Sequence, residues 1–232
     1  MPPESKNLSD FQNVITSEMD LQDAIRSGKL DSYAIRIRNR AVTKTSFEEC
    51  CFSNVLVTNC TMSALNFEGF EAKTVQFSAT NIEKSRFKFS EINEFNMING
   101  VARQCDFSNA FLQNSAFYQS EMQTMSFANA KIVKSQFQDS NMYGADFENA
   151  FMAQCKFSCT DEGNPEMSRA NFHRSMVIDT TFKNANFFSA NFTDAILIRV
   201  DLRGANICRA DFRGAVLIDC QIYPGDKAEA YF

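Results

Sequence analysis

A five-residue period runs through most of this sequence and restricts its fold more than any other feature. Stepping by five from Phe47 to Ile222 gives 36 positions, and 33 of them hold Phe, Met, Ile, Leu or Val. The three exceptions are Ala72, Ala102 and Glu162. A period of five matches neither the 3.6-residue turn of an α-helix nor the alternation of a long strand. It fits a chain that turns a corner after every fifth residue.

The residue two places before each large apolar residue is usually small, and the residue between them is often Asp or Asn. Ala145-Asp146-Phe147 and Ala190-Asn191-Phe192 are examples. Each five-residue side then directs one small and one large side chain inward and three side chains outward. A single coil of such sides cannot bury its own core, so the coils must stack.

This tandem pattern, Ala-(Asp/Asn)-(Leu/Phe)-X-X, resembles the pentapeptide-repeat proteins over about residues 45–222. The resemblance implies an all-β fold, a right-handed quadrilateral β-helix with four repeats in each coil. Thirty-six repeats would then form about nine coils, and at a strand spacing of about 4.8 Å the rod would be roughly 43 Å long.

Four repeats in each coil predict a 20-residue period along the rod. The column that starts at Phe47 then holds Phe at six successive positions and continues with Met167, Phe187 and Ile207. We therefore expect a ladder of stacked phenylalanines on one side of the core.

Two departures from the pattern predict local distortions. Large residues occupy positions that are small elsewhere, so the coils between residues 55 and 100 should be distorted; these residues are Val55, Leu65, Phe70, Val75 and Phe95. Glu162 occupies a core position, where an unpaired carboxylate is costly. Because the five-residue phase continues unchanged beyond it, we expect Cys159 to Pro165 to leave the wall as a short loop that replaces one repeat.

The sequence divides into three segments. Residues 1–44 are predicted to form an N-terminal cap that is helical over residues 8–30, with a capping box at Ser17-x-x-Asp20 and a stop at Gly28. Such a cap would plug the open end of the rod or bind a partner. Ile35 and Ile37 alternate with Arg36 and Arg38, which predicts a first strand. Residues 45–222 form the β-helix and residues 223–232 a C-terminal tail.

Composition and charge narrow the class of protein. The net charge of −5 argues against direct nucleic-acid binding, which needs a basic face. No apolar run reaches the roughly 18 residues of a membrane span, and the N-terminus lacks the pattern of a signal peptide. With no such signal, the eight Cys are expected to be reduced thiols, and we predict a cytoplasmic protein.

The residue types that usually carry chemistry do not converge. His173 is the only histidine and should point outward to solvent. Five cysteines fall at small inward positions and three at outward ones; the inward set is Cys50, Cys60, Cys105, Cys155 and Cys220, and the outward set is Cys51, Cys159 and Cys208. The carboxylate pairs Glu48-Glu49 and Glu91 with Glu94 should lie on a solvated wall. The sequence therefore predicts no enzyme, no cofactor site and no metal site.

Two functions remain in view. The first is a non-enzymatic protein–protein interaction module, acting as a rigid scaffold, adaptor or effector domain. The second follows from the resemblance, because some pentapeptide-repeat proteins modulate DNA gyrase and give quinolone resistance by imitating duplex DNA. Counted with a 20-residue period, the wall along Phe47 has a net charge of −3. DNA carries about one negative charge per 1.7 Å, so this charge favours the first function.

One wall should expose a contiguous apolar patch near the C-terminus. With a 20-residue period its residues flank Val177, Leu197 and Leu217, and Ile98 and Tyr118 extend it upstream. The predicted interface residues are Met176, Ile178, Ile196, Ile198, Val216 and Ile218. A symmetric homodimer through this patch is the preferred prediction. The alternatives are a different protein partner, or coverage of the patch by the tail with Tyr231 and Phe232.

Overall fold

The computed structural model describes residues 14–15, 34–39, 41–42, 46–160, 164–223 and 229–232. These residues form an all-β parallel solenoid of about nine turns. The strands are β1 (Val14–Ile15), β2 (Ala34–Arg38), β3 (Cys51–Thr58), β4 (Glu71–Ser78), β5 (Glu91–Ile98), β6 (Phe111–Gln113), β7 (Ala116–Tyr118), β8 (Lys131–Val133), β9 (Gln136–Gln138), β10 (Phe151–Ala153), β11 (Lys156–Ser158), β12 (Met176–Ile178), β13 (Ile196–Ile198) and β14 (Val216–Ile218). All pairings among these strands are parallel, as a solenoid requires.

The solenoid has four faces, each a column of inward side chains. Face A holds Phe47, Phe67, Phe87, Phe107, Phe127, Phe147, Phe172, Phe192 and Phe212. Face B holds Phe52, Ala72, Ile92, Leu112, Ile132, Met152, Val177, Leu197 and Leu217. Face C holds Ile37, Val57, Phe77, Met97, Phe117, Phe137, Phe157, Phe182 and Leu202. Face D holds Val42, Met62, Ile82, Ala102, Met122, Met142, Met167, Phe187 and Ile207.

One coil is five residues longer than the others, which corrects the predicted 20-residue period. Asn141 pairs with Glu166, and Met152 pairs with Val177, so the register across this coil is 25 residues. The predicted excursion is therefore an added repeat between faces C and D and does not replace one. Beyond this coil, each large inward residue therefore lies on the face next to the one that the 20-residue period predicted. Residues 161–163, which include Glu162, lie outside the described residues.

The longer coil has a physical reason in the phenylalanine ladder. Phe172 stacks on Phe147 with ring centroids 4.8 Å apart and an interplanar angle of 11°. With a 20-residue coil, Met167 would take that place and interrupt the column. The ladder instead continues through Phe192 and Phe212 to Phe232, whose ring lies 5.1 Å from that of Phe212.

The corners share one backbone feature, a residue with positive φ two places after the large inward residue. Asn109 (φ 61°) and Asn129 (φ 58°) are examples on face A. On face A a backbone hydrogen bond closes the turn, as from Ala110 N to Phe107 O at 3.0 Å. Asn tolerates this left-handed conformation better than most residues with a side chain, which explains its frequency at this position.

The predicted distortion between residues 55 and 100 is present in one place. Strands β3, β4 and β5 each run for eight residues across what would be the corner between faces B and C. At Asn54, Thr74 and Glu94 the positive φ of the other corners is missing. The large residues Val55, Val75 and Phe95 directly follow and are buried. Bulk at this position does not by itself straighten the wall, because the buried Val200 of the same column follows a corner with positive φ at Arg199. Leu65 and Phe70 are accommodated differently, because the corners before them remain at Ala64 and Gly69.

Phe89 is an unusual corner residue. Its φ is 57°, and its side chain is 57% exposed. A bulky side chain in the left-handed region is strained by roughly 1 kcal/mol or more. The neighbouring corners of the same column use Asn109 and Asn129.

We therefore expect Phe89→Asn to raise the free energy of unfolding by roughly 1 kcal/mol. Chemical denaturation measures the change, and Asn109→Phe is the matched reverse substitution, expected to lower stability by a similar amount. A Phe89→Asn variant less stable than the wild type would show that the exposed ring contributes a contact that outweighs its backbone strain.

The two ends agree with the predictions only in part. The predicted strand at Ile35 and Ile37 is confirmed as β2. The predicted helix over residues 8–30 lies outside the described residues except at Val14 and Ile15, which form strand β1 beside β2 and are therefore not helical. Pairing with the exposed edge of the first coil satisfies backbone groups that a helix would leave unpaired there.

At the C-terminus the described tail residues extend face A. Tyr231 bridges to Asp211, and Phe232 stacks on the last rung of the ladder. Neither residue lies on face B, where the predicted patch is found, so these two residues do not cover it.

Candidate functional site

The predicted apolar patch lies at the C-terminal end of face B. Strands β12, β13 and β14 pair in register there. Residues Met176, Ile196 and Val216 form one column, and residues Ile178, Ile198 and Ile218 form the other. Because Val177 and Leu197 between the columns point inward and are fully buried, the six flanking side chains point outward, as predicted.

The patch is accessible to a partner. Val216 is 49% exposed, Ile218 45% and Met176 37%, and the other three side chains are half-buried. Adjacent rungs are about 4.8 Å apart, so the six side chains form one surface. Monomeric proteins rarely leave a contiguous apolar surface of this kind exposed unless it binds something.

The upstream extension of the patch differs from the prediction. Ile98 and Tyr118 lie on face C, next to Met97 and Phe117, because the 25-residue coil shifts the columns by one face. The residues that continue the patch on face B are Phe151 and Ala153, which pair with Met176 and Ile178. The sequence analysis missed this pair, although the continuity of the Phe column across residues 147 and 172 would have revealed the shift.

Charged corner residues border the patch on both edges. Arg174 and Asp194 stand at the corner between faces A and B, and Asp179 and Arg199 at the corner between faces B and C. Arg199 donates two hydrogen bonds to the Asp179 carboxylate, from Nε at 2.6 Å and from Nη2 at 2.9 Å. The hydrogen bonds from Arg199 lower the pKa of Asp179, so both groups are charged at neutral pH. The sequence analysis did not single out these four residues.

His173 is held by a neighbouring coil. Its Nδ1 lies 2.7 Å from Thr193 Oγ1 and 3.0 Å from the carbonyl oxygen of the same residue. The side chain lies at an outward position of face A, as predicted, and is half-buried. The contact ties adjacent rungs of face A together.

The inward cysteines are fillers of the core. Burial raises the pKa of the Cys105 thiol to about 12 and that of the Cys155 thiol to about 11. The thiolate is the reactive form of cysteine, so these two groups are unreactive at neutral pH. All eight cysteines lie in the described ranges, and each is a thiol rather than half of a disulfide.

The acidic pairs noted in the sequence are parts of the wall. Glu48 accepts a hydrogen bond from Asn66 Nδ2 at 3.0 Å, and Glu94 accepts one from Thr74 Oγ1 at 3.1 Å. Both donors come from neighbouring coils, so the carboxylates link rungs. Within the ranges that the structure describes, no three His, Cys, Asp or Glu residues are grouped so that they could hold a metal ion. The same ranges contain no helix long and apolar enough to cross a membrane.

Three comparisons place the chain among known proteins. A family model described as pentapeptide repeats matches eight copies, over residues 126–158, 166–204 and 195–223. The gap before residue 166 coincides with the five added residues of the long coil. Comparison with curated proteins gives no match.

Solved structures share the fold. A trypsin-treated variant of QnrB1, a plasmid-mediated fluoroquinolone resistance protein, is 14% identical, with a TM-score of 0.53; the match covers 84% of this chain and 92% of that one. HetL, a pentapeptide-repeat protein involved in heterocyst differentiation regulation from the cyanobacterium Nostoc sp. strain PCC 7120, is 13% identical with a TM-score of 0.35, covering 88% and 93% of the two chains. At 14% identity, the likeness to QnrB1 shows the solenoid fold alone.

Proposed function

Because the chain belongs to the pentapeptide-repeat family, we propose that it is a non-enzymatic protein–protein interaction module, a rigid scaffold that presents face B to a protein partner. The observation that carries the proposal is the apolar patch of Met176, Ile178, Ile196, Ile198, Val216 and Ile218. Elsewhere on the rod, the outward positions are mostly polar or charged.

The construction of the rod suits this role. Backbone hydrogen bonds join every described coil to the next, as from Val216 N to Ala195 O at 2.8 Å. Aromatic rings stack along nearly the whole length of face A, with centroids between 4.4 Å for Phe67–Phe87 and 5.5 Å for Phe107–Phe127. A wall held in this way keeps its shape on binding, so little conformational entropy is lost when a partner docks.

We expect Ile178→Glu combined with Ile198→Glu to abolish partner binding, because two carboxylates would be buried unpaired in the interface. The control is Thr58→Glu with Ser78→Glu, which changes the same repeat position in two paired rungs of face C. Each protein is immobilised and exposed to an extract of the native host, and captured proteins are identified by mass spectrometry. Proteins retained by the wild type and the control but lost by the patch variant are the expected result. Identical capture by all three would contradict a binding role for the patch.

A second candidate function is modulation of DNA gyrase, which the likeness to QnrB1 keeps in view. With the columns corrected, the outward residues of face A include eight acidic and four basic side chains, a net charge of −4. The acids are Glu48, Glu49, Glu68, Asp106, Asp146, Glu148, Asp194 and Asp211, and the bases are Arg86, Lys88, Arg174 and Arg213. Duplex DNA of the same length, about 43 Å, carries roughly 25 negative charges. Because the net charge of face A is much smaller than that of duplex DNA, we rank modulation of gyrase second.

A supercoiling assay with purified gyrase tests this second function. The interaction-module proposal predicts no change in supercoiling, or in its inhibition by a fluoroquinolone, when the protein is added in excess. Protection or inhibition that persists in the Ile178→Glu/Ile198→Glu variant would favour the gyrase function through another face.

A further inference from the structure

The two edges of the apolar patch carry opposite charges at the same rung. On the rung of β12, Arg174 stands at one corner and Asp179 at the other. On the rung of β13 the order is reversed, with Asp194 at the first corner and Arg199 at the second. All four residues are exposed.

On the third rung, that of β14, only one of the two corners is charged. Gly214 takes the first corner of the β14 rung, with φ of 74°, and a Cβ there would lie 2.3 Å from Asp194 Oδ1. Asp219 takes the second corner. We call the edge at the corner between faces A and B the first edge and the edge at the corner between faces B and C the second edge. From β12 to β14, the charges along the first edge are therefore positive, negative and neutral, and those along the second edge are negative, positive and negative.

Two copies of the chain can bring this patch together with two-fold symmetry in two ways. If the two-fold axis is parallel to the rods, the rods are parallel, and the first edge of one copy lies along the second edge of the other, rung by rung. Arg174 then meets Asp179 of the second copy, and Asp194 meets Arg199 of the second copy. Each contact occurs twice, so four pairs of opposite charge border the interface.

If the two-fold axis is parallel to the strands, the rods are antiparallel and each edge lies along itself. With the patches centred on the β13 rung, Asp194 then faces Asp194 of the second copy and Arg199 faces Arg199 of the second copy. Like charges in direct opposition disfavour a complex. Centred between the β12 and β13 rungs, which is the middle of the four-rung patch that includes β10, the antiparallel arrangement instead places Arg174 opposite Asp194 and Asp179 opposite Arg199 of the second copy. The corner charges therefore disfavour the β13-centred register but suit a second copy in either orientation.

We propose that the occupant of the patch is a second copy of this chain, related by a two-fold axis and with the corner charges of each rod opposite unlike charges of the other. This inference rests on the proposed function, because it identifies the partner of the same surface. Phe151 and Ala153 extend the apolar contact to a fourth rung. The hydrogen bonds between Arg199 and Asp179 within each rod hold Arg199 at the edge where a carboxylate of the second copy arrives.

The test uses two charge reversals, Arg174→Glu and Asp179→Arg, alone and mixed. In either variant alone, both arrangements oppose like charges at two contacts, and we expect the dissociation constant of the dimer to rise by about tenfold or more. In an equimolar mixture a parallel heterodimer pairs Glu with Arg at one contact and the native Asp with Arg at the other, whereas an antiparallel heterodimer keeps two contacts between like charges. Sedimentation or light scattering after size exclusion measures the dimers, and mixing restores them only if the rods are parallel. Arg103→Glu, which changes a charged residue on face D, is the control and should dimerise like the wild type.

The outcomes separate this inference from the proposed function. Recovery on mixing supports the parallel arrangement. Charge variants that are weakened alone and do not recover on mixing support the antiparallel arrangement. A wild-type dimer that Ile178→Glu/Ile198→Glu dissociates, but that neither charge variant weakens, overturns the pairing of the corner charges and leaves the patch as an interface. A wild type that is monomeric at all concentrations overturns the second copy as the partner. The proposed function is then decided by the capture experiment alone, and thermal unfolding of each variant establishes that it is folded.

Discussion

Replacing Phe147 or Phe172 with alanine is expected to lower the free energy of unfolding by about 3–5 kcal/mol, the usual cost of removing a buried phenylalanine. Both side chains are completely buried, and their rings stack across the long coil with centroids 4.8 Å apart. The rigid walls around them leave little room for the cavity to collapse, so the upper part of the range is expected.

Urea denaturation followed by circular dichroism measures the loss. Phe111→Ala is the control, because Phe111 is an outward residue of face B that contacts Lys131 across the wall and should cost only about 1 kcal/mol. The double variant should show a coupling of about 1 kcal/mol between Phe147 and Phe172, as measured for aromatic pairs in contact. Losses below about 1 kcal/mol at both positions, well under the usual cost, would contradict the inward placement of the ladder.

Leu197→Glu is expected to destabilise the C-terminal coils by roughly 4 kcal/mol or more, because a carboxylate would be buried without a partner. Leu197 is completely buried between two rungs of face B. Ile198→Glu, one residue further, should change stability by less than about 1 kcal/mol, since its side chain points outward. The two variants differ only in the direction of the side chain. Thermal unfolding of both gives the comparison, and equal losses at residues 197 and 198 would contradict the alternation on which the patch depends.

The inward and outward positions could be predicted from the sequence because the residue types within each repeat identify them. A large apolar residue such as Phe107 and a small one such as Ala110 occupy fixed places in the five-residue unit, whatever the coil around them. The patch residues were identified for the same reason, since Ile196 and Ile198 flank an inward Leu197. The number of repeats in each coil, in contrast, came from the family resemblance.

The faces beyond residue 160 were predicted wrongly because the added segment is one repeat long. An insertion of five residues leaves the phase of the repeat unchanged, so inspection of the phase cannot detect it. The signal was in the identity of the large residues, because only a shift of five continues the Phe column from Phe147 to Phe172 and Phe192. The same shift places Phe151 beneath Met176.

The corner charges were not singled out from the sequence, although the 20-residue period used there already stacks Arg174 with Asp194 and Asp179 with Arg199. Arg174 and Asp194 are 20 residues apart, and so are Asp179 and Arg199. The pairing between rungs that joins them is fixed by the register and not by any local pattern. Once the register is known, the relation between the two edges follows directly.

Cysteine crosslinking across the long coil tests the register most directly, and the phenylalanine ladder and the extension of the patch to Phe151 and Ala153 both depend on that register. Ala153 and Ile178 are paired neighbours in the structure, at a strand spacing of about 4.8 Å that permits a disulfide. Ala153→Cys with Ile178→Cys should therefore form an intramolecular disulfide, identified by peptide mass spectrometry. Ser158→Cys with Ile178→Cys, neighbours only if every coil had 20 residues, should not. Crosslinking of the second pair and not the first would contradict the 25-residue coil and with it the stacking of Phe172 on Phe147.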